Sequence, residues 1–114
     1  IDHEGGMVRR VLTDIHYLPG AMALAATNKD IYDEVALTNL ELRQLGFNIN
    51  HAPVADVNNN PSNPVINSRS YSDNPDVVSK YVTSAVLGMQ RVGMVIQMLI
   101  AILDFLSLES RLQR

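Results

Sequence analysis

The sequence predicts an α/β fold built on parallel strands. Three observations carry this: two segments with apolar residues at helical spacing, a short alternating segment between them, and long turn-rich stretches where strands would end. With 114 residues there is room for one domain at most.

The elements follow in order. Residues 1–28 read as the end of a strand followed by a long loop, with Gly5-Gly6 and Pro19-Gly20 as turns and small residues from Ala21 to Thr27. Asn28 is the expected cap of a first long helix over Lys29 to Leu45. There Ile31, Val35, Leu42 and Leu45 recur at helical spacing, Asp30 sits in the first turn, and Gly46 offers a left-handed stop. Phe47 to Ala55 alternates Phe47, Ile49 and His51 against Asn48 and Asn50, which predicts a short strand ending at Pro53. Val57 to Ser72 holds Asn58-Asn59-Asn60-Pro61 and Asn63-Pro64, residues that form turns by bonding their own backbone, so an ordered loop is expected. Asn74-Pro75 is a cap with proline in the first helical position; Val78, Val82, Ala85, Val86 and Met89 form the apolar stripe of that helix, and Gly93 ends it.

Composition narrows the function. The absence of cysteine excludes a disulfide framework and a thiolate metal site. A net charge of -3, with basic residues scattered apart from Arg9-Arg10, argues against nucleic acid as a partner. The opening residues have neither the basic start nor the apolar run of a signal peptide, and without an initiator Met the first residue is not expected to be the true start. The compartment stays open between the cytoplasm and a secreted or envelope location.

Two segments could carry chemistry. Asp2-His3-Glu4-Gly5-Gly6 places acids at a strand end before a sharp turn; the plainer reading is a turn with solvated acids. His3 has no second histidine at ligand spacing, since His16 and His51 are distant, so neither a metal nor another cofactor is expected. In the second segment Arg69 follows a loop stiffened by proline and asparagine. Its planar fork can donate to two adjacent hydroxyls of a polyol, or form an ion pair that ties the loop down. Asp56 is read as an acceptor that organises the Asn-rich turns.

The run Asp-x-Glu-Gly-Gly with an arginine shortly after, then Ala52-Pro53-Val54-Ala55-Asp56-Val57-Asn58-Asn59-Asn60-Pro61 and Asn63-Pro64-Val65-Ile66 with Arg69-Ser70, closely resembles the N-terminal domain of glycoside hydrolase family 3, in its bacterial β-N-acetylhexosaminidase subgroup. The resemblance runs to about Gly93 and includes Leu42 to Asn50. The sequence departs from it at His3, where glutamine is usual, at His51, where an aromatic is common, and at Tyr71, where phenylalanine is usual.

The resemblance implies about two to three βα units of a (β/α)₈ TIM barrel, a fold of about 250 residues. It further implies removal of terminal N-acetylglucosamine from a glycoside with retention of configuration, through a covalent glycosyl-enzyme intermediate. By matched position Asp2 accepts hydrogen bonds from sugar hydroxyls and Arg69 donates to them. Neither performs the chemistry: the family's acid/base loop and nucleophilic aspartate are not readable here, so the isolated chain is expected to be inactive. The alternative is a non-catalytic carbohydrate-binding or interaction module.

Residues 1–93 therefore read as barrel and residues 94–114 as a tail foreign to the family. Where the family continues with Lys-His-Phe-Pro-Gly-His-Gly-Asp-Thr, the chain runs Met94-Val95-Ile96-Gln97-Met98-Leu99 and on to Leu108. Permissible codons for this tail, read from one base upstream, encode an acid/base-like loop, which implies a frameshift. Taken as it stands the tail reads as an apolar helix, broken by Gln97 and Asp104 and shorter than the about 20 apolar residues of a membrane span.

Overall fold

The computed structural model describes residues 1–60 and 62–99. Its elements are α1 (Ala21–Ala26), α2 (Tyr32–Gln44), β1 (Ile49–Asn50), a 3₁₀ turn (Asn67–Arg69), α3 (Pro75–Arg91) and β2 (Val95–Ile96). β1 and β2 are parallel, with Ile49 opposite Val95 and Asn50 opposite Ile96. The pairing resumes further along, where the Leu99 N–H donates to the Pro53 carbonyl at 3.1 Å and the Ala55 N–H to the Leu99 carbonyl at 2.9 Å. Along the other edge of β1 the Ile1 amine donates to the Ile49 carbonyl at 3.0 Å. The His51 N–H donates back to the Ile1 carbonyl at 2.9 Å. Bonding from one residue to the two that flank its partner is the pattern of a parallel ladder. Three parallel stretches thus lie side by side, beginning at residues 1, 49 and 95, with α2 and α3 as the crossovers.

α3 forms as its sequence dictates. The Asn74 side chain accepts from the Asp76 N–H at 2.8 Å and the Val77 N–H at 3.4 Å, satisfying donors that the first turn leaves without helical partners. Val78, Ala85 and Met89 are buried together with Tyr81, and Val82 and Val86 are half-buried. They close a core with Leu18, Leu24, Ile31, Val35, Leu42, Ala52, Tyr71 and Met94. Gly93, at φ +77°, turns the chain from α3 into β2.

Five expectations are corrected. Residues 21–26 are helical and not loop. Asn28 does not cap the long helix: it sits at φ +55°, just past the end of α1, and bonds back to Ala25. α2 starts three residues later than expected, at Tyr32, whose N–H is met by the Asp30 carboxylate at 3.0 Å. A charged acceptor beside the positive helix end outcompetes the carboxamide upstream. Leu45 is exposed, because the buried face of α2 runs through Thr38 and Asn39 and leaves the helix at Leu42. Finally, the tail does not begin as a helix: Val95 and Ile96 form β2 and Leu99 bridges Val54. β-branched residues beside the open edge of β1 favour the ladder, and an apolar run does not distinguish the two states by period alone. Residues 100–114 of the expected helix lie outside the described residues. No helix among the described residues is long and apolar enough to cross a membrane.

The two crossovers touch closely at Gly88, where an added Cβ would stand 2.7 Å from the Tyr32 carbonyl oxygen and 3.3 Å from the Ala36 nitrogen. Alanine gains about 1 kcal/mol of helix propensity over glycine, but overpacking against a backbone atom costs about 1–3 kcal/mol. Gly88→Ala is therefore expected to lower the urea midpoint of the chain, whereas Leu87→Ala, at a half-exposed neighbour, leaves it within error. Equal midpoints for Gly88→Ala and the unmodified chain would contradict the close approach.

Candidate functional site

The site begins with a buried carboxamide. Asn50 accepts from the His3 N–H at 3.0 Å and donates to the His3 carbonyl at 2.9 Å and to the Asn39 Oδ1 at 3.0 Å. Asn39 in turn donates to the Val35 carbonyl at 2.8 Å. The side chain of β1 thereby occupies both backbone groups of His3 and ties the first stretch to α2. In extended backbone alternate side chains share a face, so His3 turns inward, where it is 3% exposed, and Asp2 and Glu4 emerge together on the other side.

A double-glycine turn follows. Gly5 and Gly6 have φ of +104° and +57°, and a Cβ on Gly5 would lie 2.6 Å from the Pro19 carbonyl oxygen. Glycine is required here by both conformation and space. The turn returns the chain toward the acids, so that Arg10 Nη2 lies 3.7 Å from Asp2 Oδ2.

Arg69 arrives from the far loop. Asn60 and Asn63 close turns on the N–H groups of Ser62 and Val65 at 3.1 and 2.9 Å. The buried Ser70 hydroxyl donates to the Asp56 carbonyl at 2.6 Å, fixing the 3₁₀ turn that presents Arg69. The guanidinium grips Glu4 with both prongs, Nε to Oε2 at 3.0 Å and Nη2 to Oε1 at 2.7 Å, while Nη1 donates to the Val65 carbonyl at 3.2 Å. The pair is sheltered, with side chains 25% and 8% exposed for Arg69 and Glu4. The hydrogen bond to Glu4, with the charges of Glu4, Asp56 and Asp2, raises the Arg69 pKa above its ordinary value against the opposing effect of burial.

Asp2 and Arg69 are thus brought to one side of the fold, close enough for the charge of Asp2 to act on the guanidinium. The ion-pair alternative for Arg69 is realised, with Glu4 as the partner. Three of its five donors are engaged by these bonds, leaving two for a ligand. Glu4, read from sequence as a loop acid, is the residue whose role was missed; its position two along from Asp2 in an extended stretch was the available signal. Arg10 was missed as well, because only the fold of the glycine turn shows that it returns to Asp2. Asp56 is buried, and its backbone oxygen serves the turn that presents Arg69. Tyr71 stacks on Tyr81 with ring centroids 5.6 Å apart; burial, reinforced by the charge of Glu4, pushes its phenol pKa up. Among the described residues no three His, Asp or Glu side chains gather as a metal cage would need.

Acceptors (Asp2) and oriented donors (Arg10 and Arg69) on one rigid rim are suited to vicinal hydroxyls, which present donors and acceptors in alternation. The model of the "Glycosyl hydrolase family 3 N terminal domain" matches residues 1–99. Beta-hexosaminidase A of Pseudoalteromonas piscicida is 42% identical over 99 residues, covering 82% of this chain and 17% of the relative. The solved glycoside hydrolase family 3 β-N-acetylglucosaminidase of Paenibacillus sp. str. FPU-7 superposes with a TM-score of 0.83 at 42% identity, over 86% of this chain and 19% of that one. NagZ of Neisseria gonorrhoeae, solved in complex with N-trifluoroacetyl-D-glucosamine, gives 0.74 at 27% identity, over 83% and 30%. The chain spans less than a third of the length of each of these relatives.

His3 gives the rim a pH dependence. Its Nδ1 accepts from the Arg10 N–H at 3.3 Å, which requires a neutral ring. Burial, aided by the Arg9 charge, lowers its pKa from the usual 6.5. A histidine kept neutral in the fold binds fewer protons than in the unfolded chain. The stability it contributes is therefore present above about pH 6.5 and is lost as pH falls through the lowered native value. His3→Gln keeps an acceptor for Arg10 and does not titrate. Urea melts at about pH 7 and about pH 5 should show a smaller loss in His3→Gln than in the unmodified chain; equal losses would remove His3 from this account.

Proposed function

The chain belongs to the glycosyl hydrolase family 3 N-terminal domain family, and from that premise we propose that it is the early part of a retaining β-N-acetylhexosaminidase barrel. In this reading the three parallel stretches are neighbouring staves of a (β/α)₈ barrel, and the rim at their C-terminal ends is the face on which such barrels build active sites. Residues 1–99 form the barrel portion. The frameshift reading places the change near Gly93, and sequencing the DNA there decides it.

The ligand is the terminal N-acetylglucosamine of a glycoside, with carbohydrate metabolism, including cell-wall recycling, as the setting. Asp2 accepts from its hydroxyls, and Arg10 and Arg69 donate to them. The observation that carries this reading is the Glu4–Arg69 fork. It holds the guanidinium charged and oriented before any sugar arrives, so binding does not have to order a long side chain. Held at its hydroxyls, the ring is oriented for attack at the anomeric carbon. In a retaining enzyme one carboxylate attacks that carbon while an acid/base protonates the leaving oxygen, and the second step returns water to the same face. Asp2, Arg10 and Arg69 bind and position; the attacking carboxylate and the acid/base belong to family segments not readable in this chain, which therefore turns over no substrate on its own.

Titration of the chain with N-acetylglucosamine, followed by protein NMR, is expected to give saturable shifts at Asp2, Arg10 and Arg69. A charge-assisted hydrogen bond is worth about 1.5–3 kcal/mol. Arg69→Ala should therefore weaken binding by about tenfold to a hundredfold. An aryl N-acetyl-β-glucosaminide should be hydrolysed no faster than in buffer. Absence of saturable shifts would overturn the site, and turnover would overturn the division between binding and chemistry.

A further inference from the structure

The loop that carries Arg10 has a second anchor. Met7 and Leu12 lie largely in solvent, at 83% and 65% exposure, and only Val11 and Ile15 rest on the core from its middle. Its inner leg is held by the Val8 bridge to Gly5 and by the bond from the Arg10 N–H to His3. At the far leg three side chains of α2 converge on His16. The Glu34 carboxylate meets the ring Nε2, the Glu41 carboxylate accepts the backbone N–H, and the Thr38 hydroxyl donates to the carbonyl at 3.4 Å. Glu34, Thr38 and Glu41 are spaced by four and then three residues, which places them one above another on a single helix face.

We infer that His16 is a positioning residue for sugar binding: clamped to α2, it holds the loop so that Arg10 stays beside Asp2. The inference rests on the reading of Asp2 and Arg10 as sugar ligands. An isolated surface ion pair contributes little, because two long side chains must be ordered in solvent for one contact. Here the grip includes the N–H and carbonyl of His16, so it fixes main chain as well as a side-chain tip. Arg10 lies between the two anchors. With His16 released, the loop keeps the Val8 bridge to Gly5, the bond from Arg10 to His3, the Arg9–Tyr17 contact and the packing of Val11 and Ile15, but its far leg is freed and the Arg10 guanidinium samples more orientations. Nothing in this role touches the sugar; the effect reaches it through Arg10.

Two measurements on the full chain test this. Amide hydrogen exchange is compared among the unmodified chain, Glu41→Ala, which removes the acceptor of the His16 N–H, and the double variant Glu34→Gln/Glu41→Ala, which removes the ring contact as well. The Arg10 amide is expected to exchange about tenfold faster in the variants while α3 amides are unchanged. N-acetylglucosamine affinity is then measured in a double-mutant cycle with Arg10→Ala. Each variant should weaken binding several-fold when Arg10 is present and not at all in the Arg10→Ala background. A general structural defect would weaken both backgrounds alike, and that result, or unchanged exchange at Arg10, overturns the inference. If the unmodified chain does not bind the sugar, the proposed function fails, and the exchange comparison alone still decides whether His16 anchors the loop.

Discussion

One buried carboxamide organises this molecule. The first stretch bonds β1 through Ile1, and beyond it the acids must still be aimed. Asn50 solves this by using its side chain as a strand partner, filling both backbone groups of His3 and passing a third bond to Asn39 on α2. The network is buried and each of its groups is paired, the condition under which polar groups in a core specify one arrangement and do not penalise it. An apolar residue of similar size would leave a buried N–H, a buried carbonyl and the Asn39 oxygen without partners, at about 1–3 kcal/mol each. The direction in which Asp2 and Glu4 leave the sheet is a consequence of this bond pattern.

The Glu4–Arg69 pair then joins the two halves of the rim across 65 positions of sequence. Burying a carboxylate to 8% exposure is unfavourable by itself, and the bidentate geometry with a raised arginine pKa is what compensates it. Its use is orientation. An arginine alone on a loop would lose rotamer freedom on binding a sugar; one already forked to Glu4 and capped on the Val65 carbonyl loses much less. Stability and recognition draw on the same contact, so the loop from Asn58 to Ser72 needs its asparagine turns to deliver Arg69 at the right height.

Much of this was legible in the residues. α3 could be read whole, because its cap, its proline, its stripe and its terminal glycine all agree, and the asparagine turns could be read because they are local. Asp2 and Arg69, proposed as sugar ligands, were singled out through motif resemblance. What escaped reading was tertiary. Asn28 reads as a cap, but the helix begins at Tyr32 behind Ile31, and it is the Asp30 carboxylate that meets the Tyr32 N–H. β2 is an apolar run whose state is set by the free edge of β1. Glu4, Arg10 and His3 look like ordinary loop residues until a glycine turn folds one back over another, and no spacing in the sequence encodes that return.

The Gly6 N–H donates to the Leu18 carbonyl at 2.9 Å, and a Cβ on Gly6 would lie 2.7 Å from the Gly20 Cα. The segment between them is therefore a closed loop with its feet pressed together, independent in its footing of what lies along its perimeter. Lengthening such a loop adds only about 0.6 kcal/mol of closure entropy for each doubling. Residues can therefore be inserted or deleted between Arg10 and Leu18 at little cost in closure, and such changes alter what the loop presents beside the rim while Asp2, Glu4 and Arg69 keep their places.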